Sequence, residues 1–449
     1  MQLRGLLTAA IALLLVGGGL WYSNKLEKDK EGKPAPDAPP KIVEIATDQI
    51  QRIDIVKGAE STTVARAADG KWELTAPKAA RADQDTVGSL AGTFNSLSSD
   101  RLIEEKPSNL AEFGLASPSM TVTVTKKDGK ATKLLVGDET PASGGVFVKL
   151  DGDPRVFTIA SYNKSSFDKT FKDLMDRRLV TFDSDKLSRL ELTVKGQTIE
   201  FGKNNQNEWQ IVKPKPLRAD GGNVEELVRK IKDAKMDTAV SDADAAKASK
   251  EFGGAALVAV AKVTDAAGTQ QIEVRKAKDN TYYARGSALE GVHKVTSDLG
   301  DGLNKSLDDL RQKKVFDFGW SDPSRIDVKD GAALRTFTKD KDKWKEGNKE
   351  MDFTSVQALI DKLRDLSASK FLDTGAGTPL FEVTVVSNEG KRTEKVLISK
   401  GAGENYNAVR DGEPSVYELT KTAFDELKTA ASGVKEPAPP AAKKEEKKK

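Results

Sequence analysis

The chain has 449 residues, 37% hydrophobic and 31% charged, enough for about three domains of ordinary size. Its 72 Lys and Arg nearly balance 69 Asp and Glu, so a net charge of +3 gives no whole-molecule field to draw in nucleic acid. With no cysteine and one histidine, disulfides, thiolate nucleophiles and Cys- or His-rich metal sites are excluded, and there is almost no room for a Ser-His-Asp triad.

Residues 5–22 (GLLTAAIALLLVGGGLWY) form a run of 18 uncharged residues that follows Arg4. As a helix it would be about 27 Å long, against ~30 Å for a hydrocarbon core. Trp21 and Tyr22 stand where interfacial aromatic anchors belong. Residues 1–24 therefore read as one N-terminal transmembrane helix. The alternative is a cleaved signal peptide with an apolar core at 6–16, but its cleavage site would be Gly17-Gly18-Gly19, a poor substitute for A-x-A. Either reading exports the body of the chain. Residues 25–41 are a Pro-rich linker, and KPAPDAPP at 33–40 is a semi-rigid spacer.

One pattern then occurs three times. Arg52-Ile53-Asp54-Ile55, Arg189-Leu190-Glu191-Leu192 and Arg325-Ile326-Asp327-Val328 alternate apolar and charged residues as half-buried strands do. Their arginines lie 137 and 136 residues apart, and Trp72, Trp209 and Trp344 follow them by 20, 20 and 19 residues. A helix comes next in each copy, with apolar stripes that begin at Val87, Val224 and Val356. Four residues before each valine stands an aspartate, Asp83, Asp220 or Asp352, placed to cap the helix. Two alternating strand pairs follow, such as 121–125 with 133–136 and then 146–149 with 156–159. A short helix closes each copy, near 167–175, 305–310 and 423–428. The reading is α+β: three tandem copies of a mainly antiparallel-sheet domain with two helices each. The boundaries are 42–180, 181–317 and 318–432, with a Lys- and Pro-rich disordered tail at 433–449.

Residues that carry chemistry are few. His293 aligns with Phe157 and Tyr417 at an aromatic strand position, which makes it a packing ring rather than a catalyst. The glycine pairs at 144–145, 221–222 and 253–254 lack the Lys-Ser/Thr of a phosphate loop, and Asp151-Gly152-Asp153 lacks calcium-loop spacing. The tryptophans read as core. Arg52, Arg189 and Arg325 are the one repeated cationic row, a possible ligand surface, although a solvated strand face is the simpler reading.

Taken together, Trp72-Glu73-Leu74 with Pro77, Asp83, Phe113-Gly114-Leu115 with Pro118, Val136-Gly137 and Phe167 resemble the bacterial "domain of unknown function 4340" repeat family. The likeness runs from about Ile42 to Ala431; Phe252-Gly253 keeps part of the Phe-Gly-Leu motif and the third copy lacks it. The resemblance implies a periplasm-facing protein encoded beside ABC transporter components of the gliding-motility type, and it brings no catalytic residues. The expectation is a non-catalytic scaffold or binding protein of the bacterial inner membrane, single-pass, with no cofactor or metal and no nucleic-acid partner. Its expected partner is a membrane protein complex, with ABC transporter subunits the leading candidates. A polysaccharide-binding protein and a carboxylate-based hydrolase are the alternatives.

Overall fold

Alternation at period two produces strands with one wet and one dry side. Ile53 and Ile55 are buried while Arg52 is exposed, and the pattern recurs at Leu190, Leu192 and Arg189 and at Ile326, Val328 and Arg325. The computed structural model describes residues 41–141, 144–237, 242–320 and 323–438. The expected membrane segment at 5–22 and the end of the tail lie outside these residues. No helix among the described residues is long and apolar enough to cross a membrane. The chain divides into two compact units between Arg177 and Arg178.

The first unit holds a nine-stranded sheet. Its spatial order is Ala80–Arg81, Trp72–Ala76, Glu60–Arg66, Ile50–Lys57, Met120–Lys126, Ala131–Glu139, Gly145–Leu150, Val156–Ala160 and Arg101–Glu104. Every pairing is antiparallel, with Ile53 opposite both Val64 and Val124. Helix Gln84–Thr93 buries Val87, Leu90 and Ala91, and Phe94 just beyond it stacks on Phe167 at 5.0 Å. A separate two-stranded ladder joins Lys41–Val43 to Leu97–Ser98.

The second unit contains an eight-stranded and a nine-stranded sheet. The eight-stranded one places Arg189–Val194 between Gln197–Lys203 and Ala256–Asp265, with Leu192 opposite Ile199 and Ala261. The nine-stranded one places Arg325–Asp330 between Ala333–Asp340 and Phe381–Ser387, with Ile326 opposite Phe337 and Val385. Each sheet packs a long helix on one face. Gly221–Lys232 buries Val224, Leu227, Val228 and Ile231; Phe353–Asp365 buries Val356, Leu359, Ile360 and Leu363.

The chain departs from the sequence reading in three places. In the first two blocks the closing helix is split, into Ser161–Phe167 with Phe171–Leu174 and into Ser297–Leu303 with Leu307–Leu310, so two helices per copy was too few there, while the third block has the expected two, Phe353–Asp365 and Lys421–Ser432. Each second piece is a single turn fixed by a capping box, Thr170 with Asp173 and Ser306 with Asp309. An unexpected helix, Asp242–Phe252, lies in the eight-stranded block. Arg101–Glu104 and Lys370–Leu372 form edge strands on Val156–Ala160 and Val416–Leu419, a return that no local pattern announces.

Candidate functional site

The three arginines proposed as a ligand row are each occupied by a carboxylate two residues along the same strand. Arg52 meets Asp54 at 2.6 Å, Arg189 meets Glu191 at 2.7 Å and Arg325 meets Asp327 at 3.0 Å. Period-two geometry puts residues i and i+2 on one face, so each pair forms within its own strand. Burial alone would raise the Asp54 carboxyl, but hydrogen bonds from Arg52 and from Thr63 outweigh it and hold it below the usual range. Arg189 also reaches Glu200, which Lys213 pairs at 2.9 Å and thereby keeps acidic. Each arginine of the row is thus neutralised on its own face. Arg189 and Arg325 stand on different sheets of the second unit, and Arg52 belongs to the first.

Trp72, Trp209 and Trp344 are 3%, 5% and 2% exposed, so they serve the core rather than a ligand. Asp83, Asp220 and Asp352 accept from the amides of Thr86, Asn223 and Ser355 and are N-caps. His293 bonds the Glu290 carbonyl through Nε2, and its burial lowers its pKa despite that bond.

Opposite the long helices, the sheets are covered in three different ways. In the first unit Phe113 and Leu115 pack on Val156, with Phe113 edge-on to Phe147 at 5.1 Å. Gly137 makes this possible, because a Cβ there would lie 2.1 Å from the Phe113 carbonyl oxygen. Arg275 holds the same sheet position in the second block; it donates to the Phe252 and Ala255 carbonyls and lies over the Phe252 ring at 5.0 Å. In the third block the position is Ser399, whose hydroxyl accepts from the Gly377 amide. In the first two blocks the Phe-Gly motif lays a backbone carbonyl on the sheet, against Gly137 or Arg275, while in the third, which lacks the motif, the Gly377 amide takes that place.

The densest buried charge lies where the two sheets of the second unit meet. Arg218, with a side chain 12% exposed, donates to the Lys314 carbonyl at 2.6 Å and to the Tyr417 hydroxyl at 3.0 Å. Its Nε is 2.9 Å from Glu413, near enough for an ion pair but not aligned as a hydrogen bond. Burial would lower Arg218; Tyr417 and Glu413 more than restore its charge. Tyr417, itself raised by burial, donates to Glu413 at 2.7 Å. Arg311 lies over Phe371 at 3.6 Å and bonds Ser415. Arg410 joins Glu394 and Glu413 and also donates to the Val315 carbonyl. Of these residues the sequence had marked only Tyr417, as an aromatic strand position, although Arg-Ala-Asp at 81–83 and 218–220 was a repeat that could have marked Arg218.

A hollow of about 440 Å³ lies between helices Gly221–Lys232 and Ser297–Leu303. Several of its charges are already engaged: Lys230 with Asp298 at 2.5 Å, Asp301 with Tyr282, and Asp309 with Ser306. Among the described residues no group of three or more His, Asp or Glu is placed to hold a metal ion.

Antiparallel sheets and capped helices define an α+β protein. The family described as "Domain of unknown function (DUF4340)" matches residues 72–208 and 209–379, more than half of the chain, and the chain belongs to that family. The two matched segments begin at Trp72 and Trp209, equivalent places in their sheets. Comparison with curated proteins and with solved structures gives no match.

Proposed function

We propose that this protein is a non-catalytic scaffold or binding component of a membrane complex, made of three tandem copies of one domain held outside the cytoplasmic membrane by residues 5–22. The leading partner class is an ABC-type export system. One observation carries the reading: three sheets share a strand order and a capped helix, and in each the arginine of the central strand is paired with a carboxylate of that same strand. A surface of that kind offers shape and backbone regularity to a protein partner, while leaving no concentrated field for a small ion. Tandem copies multiply such contacts along one chain, so that weak individual contacts add to a tight whole.

The test is affinity capture of full-length protein from detergent-solubilised membranes of the native cell, with an inner-membrane protein of unrelated sequence as control. Stoichiometric recovery of membrane-transport subunits is the expected result. Full-length protein that is extracted intact and migrates alone would sink the proposal.

A further inference from the structure

The first and third blocks arrange nine strands in the same order. In both, the hairpin before the eighth strand carries a carboxylate four residues ahead of an aromatic ring, Asp153 with Phe157 and Glu413 with Tyr417. Each ring is buried, 1% and 2% exposed, and lies opposite an apolar residue of the edge strand, Leu102 or Phe371. A guanidinium meets each carboxylate and ring, but the two guanidinium groups come from different places.

In the first block it is Arg155 of the same hairpin, bonded to Asp153 at 2.7 Å and centred 5.0 Å from the Phe157 ring. In the third block it is Arg218 of the second, 2.9 Å from Glu413 and centred 5.7 Å from the Tyr417 ring. The place of Arg155 is taken there by Ser415, which accepts from another arginine of the second block, Arg311, at 2.9 Å. Arg311 also lies 3.6 Å from the Phe371 ring centre, whereas Leu102 in the matching position is 36% exposed. Consistently, the first block forms a compact unit by itself, and the second and third share one.

We infer that Arg218 and Arg311 belong to the fold of the third block although the second supplies them, so that these two blocks open together, while Arg155 completes the same place in the first block from within. In tandem arrays, stability is the sum of what each unit holds and what its neighbour adds. Exposure decides how much is added. The Arg218 side chain is 12% exposed, and its removal leaves the Tyr417 hydroxyl and the Lys314 carbonyl without that donor inside the joint. Breaking a buried ionic contact costs far more than breaking one in water. The Arg155 side chain is 47% exposed, so its pair with Asp153 is the weaker of the two. Block-to-block support of this kind is independent of any membrane partner.

Hydrogen exchange of the full-length protein tests this at two matched amides: Asp100, which donates to the Thr158 carbonyl at 2.8 Å, and Ser369, which donates to the Glu418 carbonyl at 2.8 Å. Arg218→Met is expected to speed exchange at Ser369 on the order of a hundredfold and to leave Asp100 unchanged. Arg155→Met is expected to speed Asp100 roughly threefold to tenfold and to leave Ser369 unchanged. In the parent chain the slowest amides of strands Arg189–Val194 and Arg325–Asp330 should respond to denaturant together, and in Arg218→Met those of the third block should open first. If Arg218→Met does not fold, Arg218→Lys keeps the charge, loses the planar fork and is read in the same way. Unchanged Ser369 exchange in the folded variant, or parent strands that respond separately, overturns the dependence of the third block on the second. Equal acceleration at Asp100 and Ser369 also overturns it, because that marks a general loss of stability. Unchanged Asp100 exchange in Arg155→Met overturns the self-completion of the first block.

Discussion

The two faces of each sheet have been treated differently. On the side of the long helices, the same elements recur in every block: a buried tryptophan, a stripe led by valine and an aspartate cap. On the other side the cover is a Phe-Gly turn, then a full helix, then a glycine-bearing loop pinned by Asn407 and Ser399. The first side is fixed by volume, since a core at crystal-like density tolerates few shapes. The second needs only an acceptor or donor to meet a strand, and several side chains supply one.

The largest expected effect is on the shared side. Trp344→Ala, at a site 2% exposed, should cost about 3–5 kcal/mol in denaturant unfolding; a loss below about 1 kcal/mol would mean the ring is not part of the core. On the divergent side, Gly137→Ala should destabilise the first unit by about 1–3 kcal/mol, because its Cβ meets the Phe113 carbonyl at 2.1 Å. A thermal midpoint equal to that of the parent chain would show that the turn yields freely. Smallest is Asp352→Ala, which removes the bond to the Ser355 amide at 2.9 Å and should cost about 1 kcal/mol. If it instead abolishes a binding activity while stability is kept, the aspartate is more than a cap and the two faces are less distinct than their packing suggests.

What could be read in advance follows the same division. Period-two alternation exposed the central strands, and the i, i+3, i+4 stripe with its leading aspartate exposed the long helices, because both depend on neighbours in sequence. Helix Asp242–Phe252 escaped because, among its described side chains, it offers only Ala248 and Phe252 to the core, too sparse a stripe to register. The edge strands Arg101–Glu104 and Lys370–Leu372 escaped because their partners lie about fifty residues away. The Arg218 cluster is more remote still, with 199 residues between Arg218 and Tyr417, and only the folded chain brings them together. The arginine row was visible as a pattern; the same-strand carboxylates that occupy it were visible too, and were decisive for its meaning.

The short ladder of Lys41–Val43 on Leu97–Ser98 has a mechanical consequence. A pull applied at Lys41 would fall first on this ladder and on Ile42, Val43 and Ile45, each less than 10% exposed. Those contacts must be stripped before any load reaches the nine-stranded sheet. Residues 41–45 are thus secured to the first unit by a ladder and buried side chains of their own, apart from the nine-stranded sheet.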